Sequence, residues 1–222
     1  MPNVLSVNIA PGRTNPATQT TITGIDKHPA DGAVAVSAPG PMRGGRGSGL
    51  AGDVIGDKKL HGGDDQAVYA YAREDLDRWQ RELGRDLRAG VFGENLTTSG
   101  VDVTEARIGE RWRVGDDGLL LEVSTPRTPC RTFAAWLDIG GWMKTFTAAA
   151  APGAYLRVIA PGSVRAGDRI SVVDRPDHDV TIGVVFRAIT LEPDLLPRLL
   201  EIDALPEETK AKARKRSARR AG

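Results

Sequence analysis

Apolar and polar residues alternate along this chain in short runs, and Gly and Pro separate the runs. From Val4 to Ile9 the alternation is mixed, with Val4 and Ser6 on one parity and Leu5, Val7 and Ile9 on the other; it predicts a first strand. TTITGIDK (20–27) and GAVAVSA (32–38) are short, rich in β-branched residues and bounded by Gly and Pro, and predict two more strands. In RIGERWRVGDDGLLLEVS (107–124), Trp112 and Val114 alternate with arginines. There the GDDG turn reverses the chain, and Leu119 to Val123 returns as a hairpin arm. SVRAGDRISVV (163–173) has the same turn-into-strand grammar without being an internal duplication. A helical period stands out in EDLDRWQRELGR (74–85), where Leu76, Trp79 and Leu83 share a face and Gly84 stops the helix.

The texture changes near Pro176. Residues 180–216 have helical spacing with Pro193 and Pro206 near helix starts, which predicts three short helices. Leu195, Leu196, Leu199 and Leu200 serve there either as a small helical core or as a docking surface. The closing KAKARKRSARRAG is basic, and its readings are a solvated tail or a weak contact with nucleic acid or an acidic partner.

Composition agrees with this picture. The chain has 222 residues, of which 40% are hydrophobic and 5% aromatic, with 26 Gly and 14 Pro, so many turns join short elements and β structure is favoured. The formal charge of +1 argues against a polyanion binder by bulk electrostatics, and no stable nucleic-acid binding is expected. A single cysteine cannot form an internal disulfide. No basic leader with an apolar core opens the sequence, and no apolar run approaches the roughly 18 residues of a membrane span. The expectation is a cytoplasmic protein without a membrane partner, with an oligomer left open.

The chemistry-bearing residues are few. His28, His61 and His178 lie far apart, without zinc-ligand spacing, and no Walker loop, GxGxxG after a strand or GxSxG occurs. Cys130 ends STPRTPC (124–130), flanked by Arg127 and Arg131 and stiffened by Pro126 and Pro129. Nearby cations lower a thiol's pKa, so this setting suits a thiolate better than inert buried filler. His61 opens HGGDDQAVYAY, where Gly62 and Gly63 permit either close backbone approach to a ligand or a turn that leaves the histidine exposed. GVFGENLTTSG (90–100) carries Glu94 and Asn95 in a polar stretch bracketed by glycines. The glycine-rich PGPMRGGRGSGLAGD (39–53), with Arg43 and Arg46, is a solvated loop or an anion cradle.

HGG at 61–63, FGENL at 92–96 and PRTPC at 126–130, in that order, resemble the MOSC domain family, which takes its name from the C-terminal domain of molybdenum cofactor sulfurase. The likeness is to the small stand-alone bacterial type, and it runs through TGIDKHPADGAV, GLAGD, RIGERWRVG and GAYLRVIAPGSVRAGD to about residue 174. Two positions depart from the pattern: Ile55 stands where GDxQAD has glutamine, and Gln66 where a lysine is usual after HGG.

The resemblance implies a mostly β, barrel-like domain over residues 1–178 with a few helices, and a small all-α segment of three helices with a basic tail over 179–222. It also implies binding of the molybdenum cofactor, with Cys130 as the metal's protein ligand, Lys27, His61, Gly62, Gly63, Asn95 and Arg127 as cofactor contacts, and Cys130 with His61 as catalytic residues. The implied activity is independent of pyridoxal phosphate. It reduces N-hydroxylated small molecules, such as hydroxylamino base analogues, in detoxification. Electrons would come from a partner reductase, since these residues show no flavin, haem or iron–sulfur motif. Two other readings stay open: a non-catalytic carrier of cofactor or sulfur, and a cysteine–histidine hydrolase using Cys130 and His61.

Overall fold

The computed structural model describes residues 1–221, without the side chains of Arg220 and Ala221; Gly222, the end of the expected basic tail, lies outside the described residues. In chain order the elements are β1 (Asn3–Ile9), β2 (Arg13–Thr14), β3 (Ile22–Thr23), β4 (His28–Pro29), β5 (Val34–Val36), β6 (Val68–Ala72), α1 (Arg73–Leu83), β7 (Leu96–Ser99), β8 (Arg111–Val114), β9 (Leu120–Pro126), α2 (Arg131–Leu137), α3 (Trp142–Ala149), β10 (Ala154–Ala160), β11 (Gly162–Val164), β12 (Ile170–Asp174) and α4 (Ile182–Thr190). A 3₁₀ helix at Pro193–Glu201 and α5 (Glu207–Ala221) complete the chain.

Eight strands form one mixed sheet in the order β12-β8-β9-β10-β6-β7-β1-β4. All pairs are antiparallel except β6 with β7, which α1 joins as a crossover. The mostly β architecture matches the expectation, but the barrel is not closed by a continuous ladder. Its two sides meet at one place, where Asn3 bridges Arg169 and the Val4 N–H donates to the Asp168 carbonyl at 2.8 Å.

Strand β6 explains how the sheet organises two cores. Its five residues VYAYA are all buried, and alternate residues of a strand point to opposite faces. Val68, Ala70 and Ala72 enter the main apolar core with Val4, Leu96, Trp112, Leu121, Leu156 and Ile170. Tyr69 and Tyr71 face a second, aromatic core with Trp79 of α1, Phe133 of α2, and Trp142 and Phe146 of α3. Helix α1 buries Leu76 and Trp79 and ends at Gly84 in the left-handed conformation (φ 63°), as its period predicts.

Several elements differ from the sequence expectation. Only Ile22–Thr23 of the second predicted strand is extended; it pairs with Arg13–Thr14 in a hairpin off the main sheet, and Val34–Val36 pairs with the distant β11 in a separate two-stranded sheet. Gly24 permits the first hairpin's close seating, since a Cβ there would lie 1.8 Å from the Val54 carbonyl oxygen. Helices α2 and α3 carried no clear period, being only 7 and 8 residues long. Three helical pieces follow Pro176 as expected, the middle one a 3₁₀ helix with Pro197 inside it. Leu196, Leu199, Ile202 and Leu205 belong to the main core along with the sheet residues, which decides for packing over docking at Leu196 and Leu199.

Leu199 is fully buried in that shared core, so Leu199→Ala should cost about 2–5 kcal/mol. Helical circular dichroism and tryptophan fluorescence should melt together at a lower temperature. Loss of the helical signal ahead of the fluorescence would show that the last helices fold apart from the sheet.

Candidate functional site

Strand β9 delivers the cysteine. It ends at Pro126, where a residue without an N–H can terminate the ladder, and Pro129 turns the chain into α2. Cys130 is the N-cap of α2, in extended conformation (φ −131°, ψ 168°) and half-buried. Burial opposes its ionisation, but the His61 imidazole, the Arg127 guanidinium and the Phe133 backbone N–H outweigh it. The thiol is thereby lowered from 9.0 to about 6.

Arg127 lies three residues earlier and is buried, with 6% of its surface exposed. Its guanidinium carbon lies 4.1 Å from the Phe133 ring centroid and 5.4 Å from that of Tyr69. Tyr155 lies opposite Tyr69 in the β10–β6 pairing; burial raises its pKa, and the Arg127 guanidinium opposes that shift. The Arg127 Nη1 nitrogen is buried and has no hydrogen-bond partner.

A second polar centre lies on the adjoining loops. Lys27 is buried, and its ammonium pairs with Asp53. Burial lowers the Lys27 pKa, and the Asp53 carboxylate opposes that shift. Asp53 also accepts from the Ser48 hydroxyl at 2.6 Å, the Asn95 amide at 3.0 Å and the Ala10 N–H at 3.0 Å. Asn95 spends its remaining capacity on backbone, donating to the Asn8 carbonyl at 3.2 Å and accepting from the Tyr69 N–H at 3.1 Å. It therefore pins the loop to β1 and β6. Beside it Glu94 is fully buried and accepts from Gly90 N–H, Phe92 N–H and the Thr97 hydroxyl; burial, the largest influence, raises its pKa.

Of the residues singled out in the sequence, the structure joins Cys130, His61 and Arg127 in one cluster and Lys27 with Asn95 in another, through Asp53. The two clusters sense each other, since Arg127 acts electrostatically on Lys27. Gly62 and Gly63 have φ of 83° and 82°, and a Cβ on either would strike the 39–49 loop, at Gly47 and Met42. Their N–H groups are engaged within the loops, Gly62 with the Gln66 side chain at 3.2 Å and Gly63 with the Gly47 carbonyl at 2.9 Å. Sequence reasoning missed Asp53, Tyr69 and Tyr155. Asp53 had a signal, as the aspartate of GLAGD; the tyrosines had none beyond the alternation of β6 and β10. Among the described residues no cluster of three metal-ligating His, Cys, Asp or Glu side chains occurs.

A family model described as the MOSC domain matches residues 57–171. The chain is 36% identical over 137 residues to Protein YiiM of Escherichia coli, a match spanning 60% of each protein. It is 31% identical over 188 residues to a protein named Reductase from Gibberella moniliformis, covering 82% of this chain but 31% of that one. The crystal structure of YiiM from Geobacillus stearothermophilus superposes with a TM-score of 0.78, covering 97% of this chain and 99% of that one at 24% identity; that likeness is one of fold.

The thiol's environment yields a direct test. Alkylation by iodoacetamide follows the thiolate, so the rate at Cys130 should rise through a midpoint near pH 6. In His61→Ala the imidazole is gone, and the midpoint should move up toward the ordinary thiol value of about 8.5. A wild-type midpoint already at the ordinary value would show that the cluster does not hold a thiolate.

Proposed function

This chain belongs to the MOSC domain family, which is associated with the molybdenum cofactor, and on that premise we propose that it is a cytoplasmic reductase of N-hydroxylated compounds. The proposed overall change is R–NHOH plus two electrons and two protons to R–NH₂ and water. The electrons come from a partner reductase. The relative named Reductase supports this class of chemistry by its name alone, and the match spans less than a third of its length. The site lies in the proposed domain of residues 1–178, and the helices of residues 182–221 pack onto its main core.

The observation that carries the reading is a thiol lowered to about 6 beside a buried guanidinium with one unpartnered nitrogen. A soft thiolate suits a metal already held by sulfur. A buried, unpaired N–H of a cation is costly, and an anionic group placed there removes the cost. The residues present thus fit the molybdenum cofactor, which when bound would supply two electrons to the substrate and take up its oxygen atom.

In this reading Cys130 holds the metal, and His61 orients the sulfur and keeps it deprotonated. Arg127 and Lys27 hold anionic groups of the cofactor, and Asp53 keeps the Lys27 ammonium charged despite its burial. Asn95 fixes the relation of the FGENL loop to β6. Gly62 and Gly63 contribute close approach of the backbone more than free N–H donors, since both amides are already paired. The aromatic wall of Phe133, Tyr69 and Tyr155 limits water around the guanidinium.

One contact favours a second reading. The His61 imidazole that lowers the Cys130 thiol is also the base a cysteine hydrolase needs. That reading expects covalent labelling by an acyl substrate and no dependence on molybdenum.

Protein produced in a host that makes the cofactor should reduce 6-N-hydroxylaminopurine with reduced methyl viologen as donor. Cys130→Ala should lower the rate by about a thousandfold or more, as loss of a group acting in the transition state does. Full activity of that variant would sink the reading, and no activity of the wild type with this donor would return weight to a carrier.

A further inference from the structure

The last helix carries charge that the rest of the chain opposes. Residues 207–221 hold seven Lys or Arg and two Glu, a net of +5; with +1 for the whole chain, the other residues carry −4. This helix is not a loose tail among its described residues. Ala213 is fully buried, Lys210 is 9% exposed, and Arg216 donates to the Ile189 carbonyl of α4.

The outward side is a preformed stripe. Lys212, Lys215 and Arg219 are exposed at i, i+3 and i+7, and so share one face over about 10 Å of axis. Lys212 pairs with Glu208 at 2.7 Å, and Arg214 pairs with Glu207. Lys215 and Arg219 have no acidic partner among the described residues. Apart from charged groups the exposed face offers only Ala211 and Ala218, nothing that inserts into an apolar groove or a bilayer.

Its mixed sign narrows the partner. A polyphosphate, with negative charge along its whole length, would meet Glu207 and Glu208 as well as the cations. A folded protein with an acidic patch can match the cationic end and leave the acidic end free. One side chain links the segment ahead of the helix to the stretch that follows His61. Arg157 donates to the Ala204 carbonyl, just ahead of the helix, at 2.8 Å, and to Asp65, four residues after His61, at 2.5 Å.

We propose that the cationic face of the last helix, centred on Lys215 and Arg219, is the docking surface for a small acidic electron-carrier protein that serves the Cys130 site. This rests on the reductase reading in one respect, the need for electrons from outside these 222 residues. Electron-transfer partners meet through small polar interfaces in which charge sets the encounter rate and its salt dependence.

The test uses a plant-type ferredoxin as the acidic probe and reads binding by calorimetry, without turnover. Wild type should bind at about 20 mM salt and about tenfold more weakly at about 300 mM, where screening is strong. Lys215→Glu with Arg219→Glu should bind at least about tenfold more weakly than wild type at low salt, with an unchanged melting temperature and unchanged dye-driven reduction. Lys215→Ala with Arg219→Ala serves if the charge reversal disturbs folding, with a smaller loss expected. Absence of wild-type binding, or equal binding by the variants, would overturn the proposal. So would tighter binding of duplex DNA or of anionic vesicles at the same salt, or salt-sensitive dimerisation through this face. Failure of the reductase reading would appear separately, in the dye-driven assay.

Discussion

A guanidinium taken out of water has to be compensated, and among the described residues Arg127 forms no ion pair with a carboxylate; Glu94 acts on it only as a minor electrostatic influence. Two aromatic faces, the Tyr155 hydroxyl and the negative charge that gathers on Cys130 stand in for one. Cation–π contacts of this kind are worth up to about 2 kcal/mol when desolvated, less than full solvation of the charge provides. The guanidinium therefore stabilises a thiolate beside it, and the thiolate helps hold the guanidinium. One of its nitrogens is still left over, which gives the site an unmet demand for an anion.

The fold exists to hold that pair in register. Period-2 alternation along β6 and β10 sends small apolar residues to the main core and tyrosines to the aromatic core, so one strand pair serves both. The aromatic core lies under α2 and therefore under the residue that caps it, Cys130. Asp53 does for the neighbouring loops what the rings do for Arg127: a single buried carboxylate gathers an ammonium, a hydroxyl, an amide and a backbone N–H. Four segments distant in sequence thereby become one wall.

Much of this was legible before the coordinates. The helix over Leu76 and Trp79, the hairpin at GDDG and the stop at Gly84 follow from local period and turn chemistry, and they are found. Proximity of Arg127 to Cys130 was also readable, because they are three residues apart. The partner roles of His61 and Tyr155 needed the sheet pairing, which joins strands far apart in sequence and leaves no local mark. Helices α2 and α3 were hidden because 7 and 8 residues show too few turns for a period to emerge. At Gly62 and Gly63 the positive φ was readable from the glycines, but the groups that take up their N–H donors were not, since they come from the Gln66 side chain and from Gly47 of the preceding loop.

The central claim is that Cys130 is a thiolate placed to bind metal. Elemental analysis of molybdenum per chain tests it most directly, on wild type and Cys130→Ala made side by side in a cofactor-producing host. The account expects metal in the wild type and little or none in the variant, with both proteins folded. Equal metal in the two would contradict it, because the sulfur would then have no part in holding the cofactor.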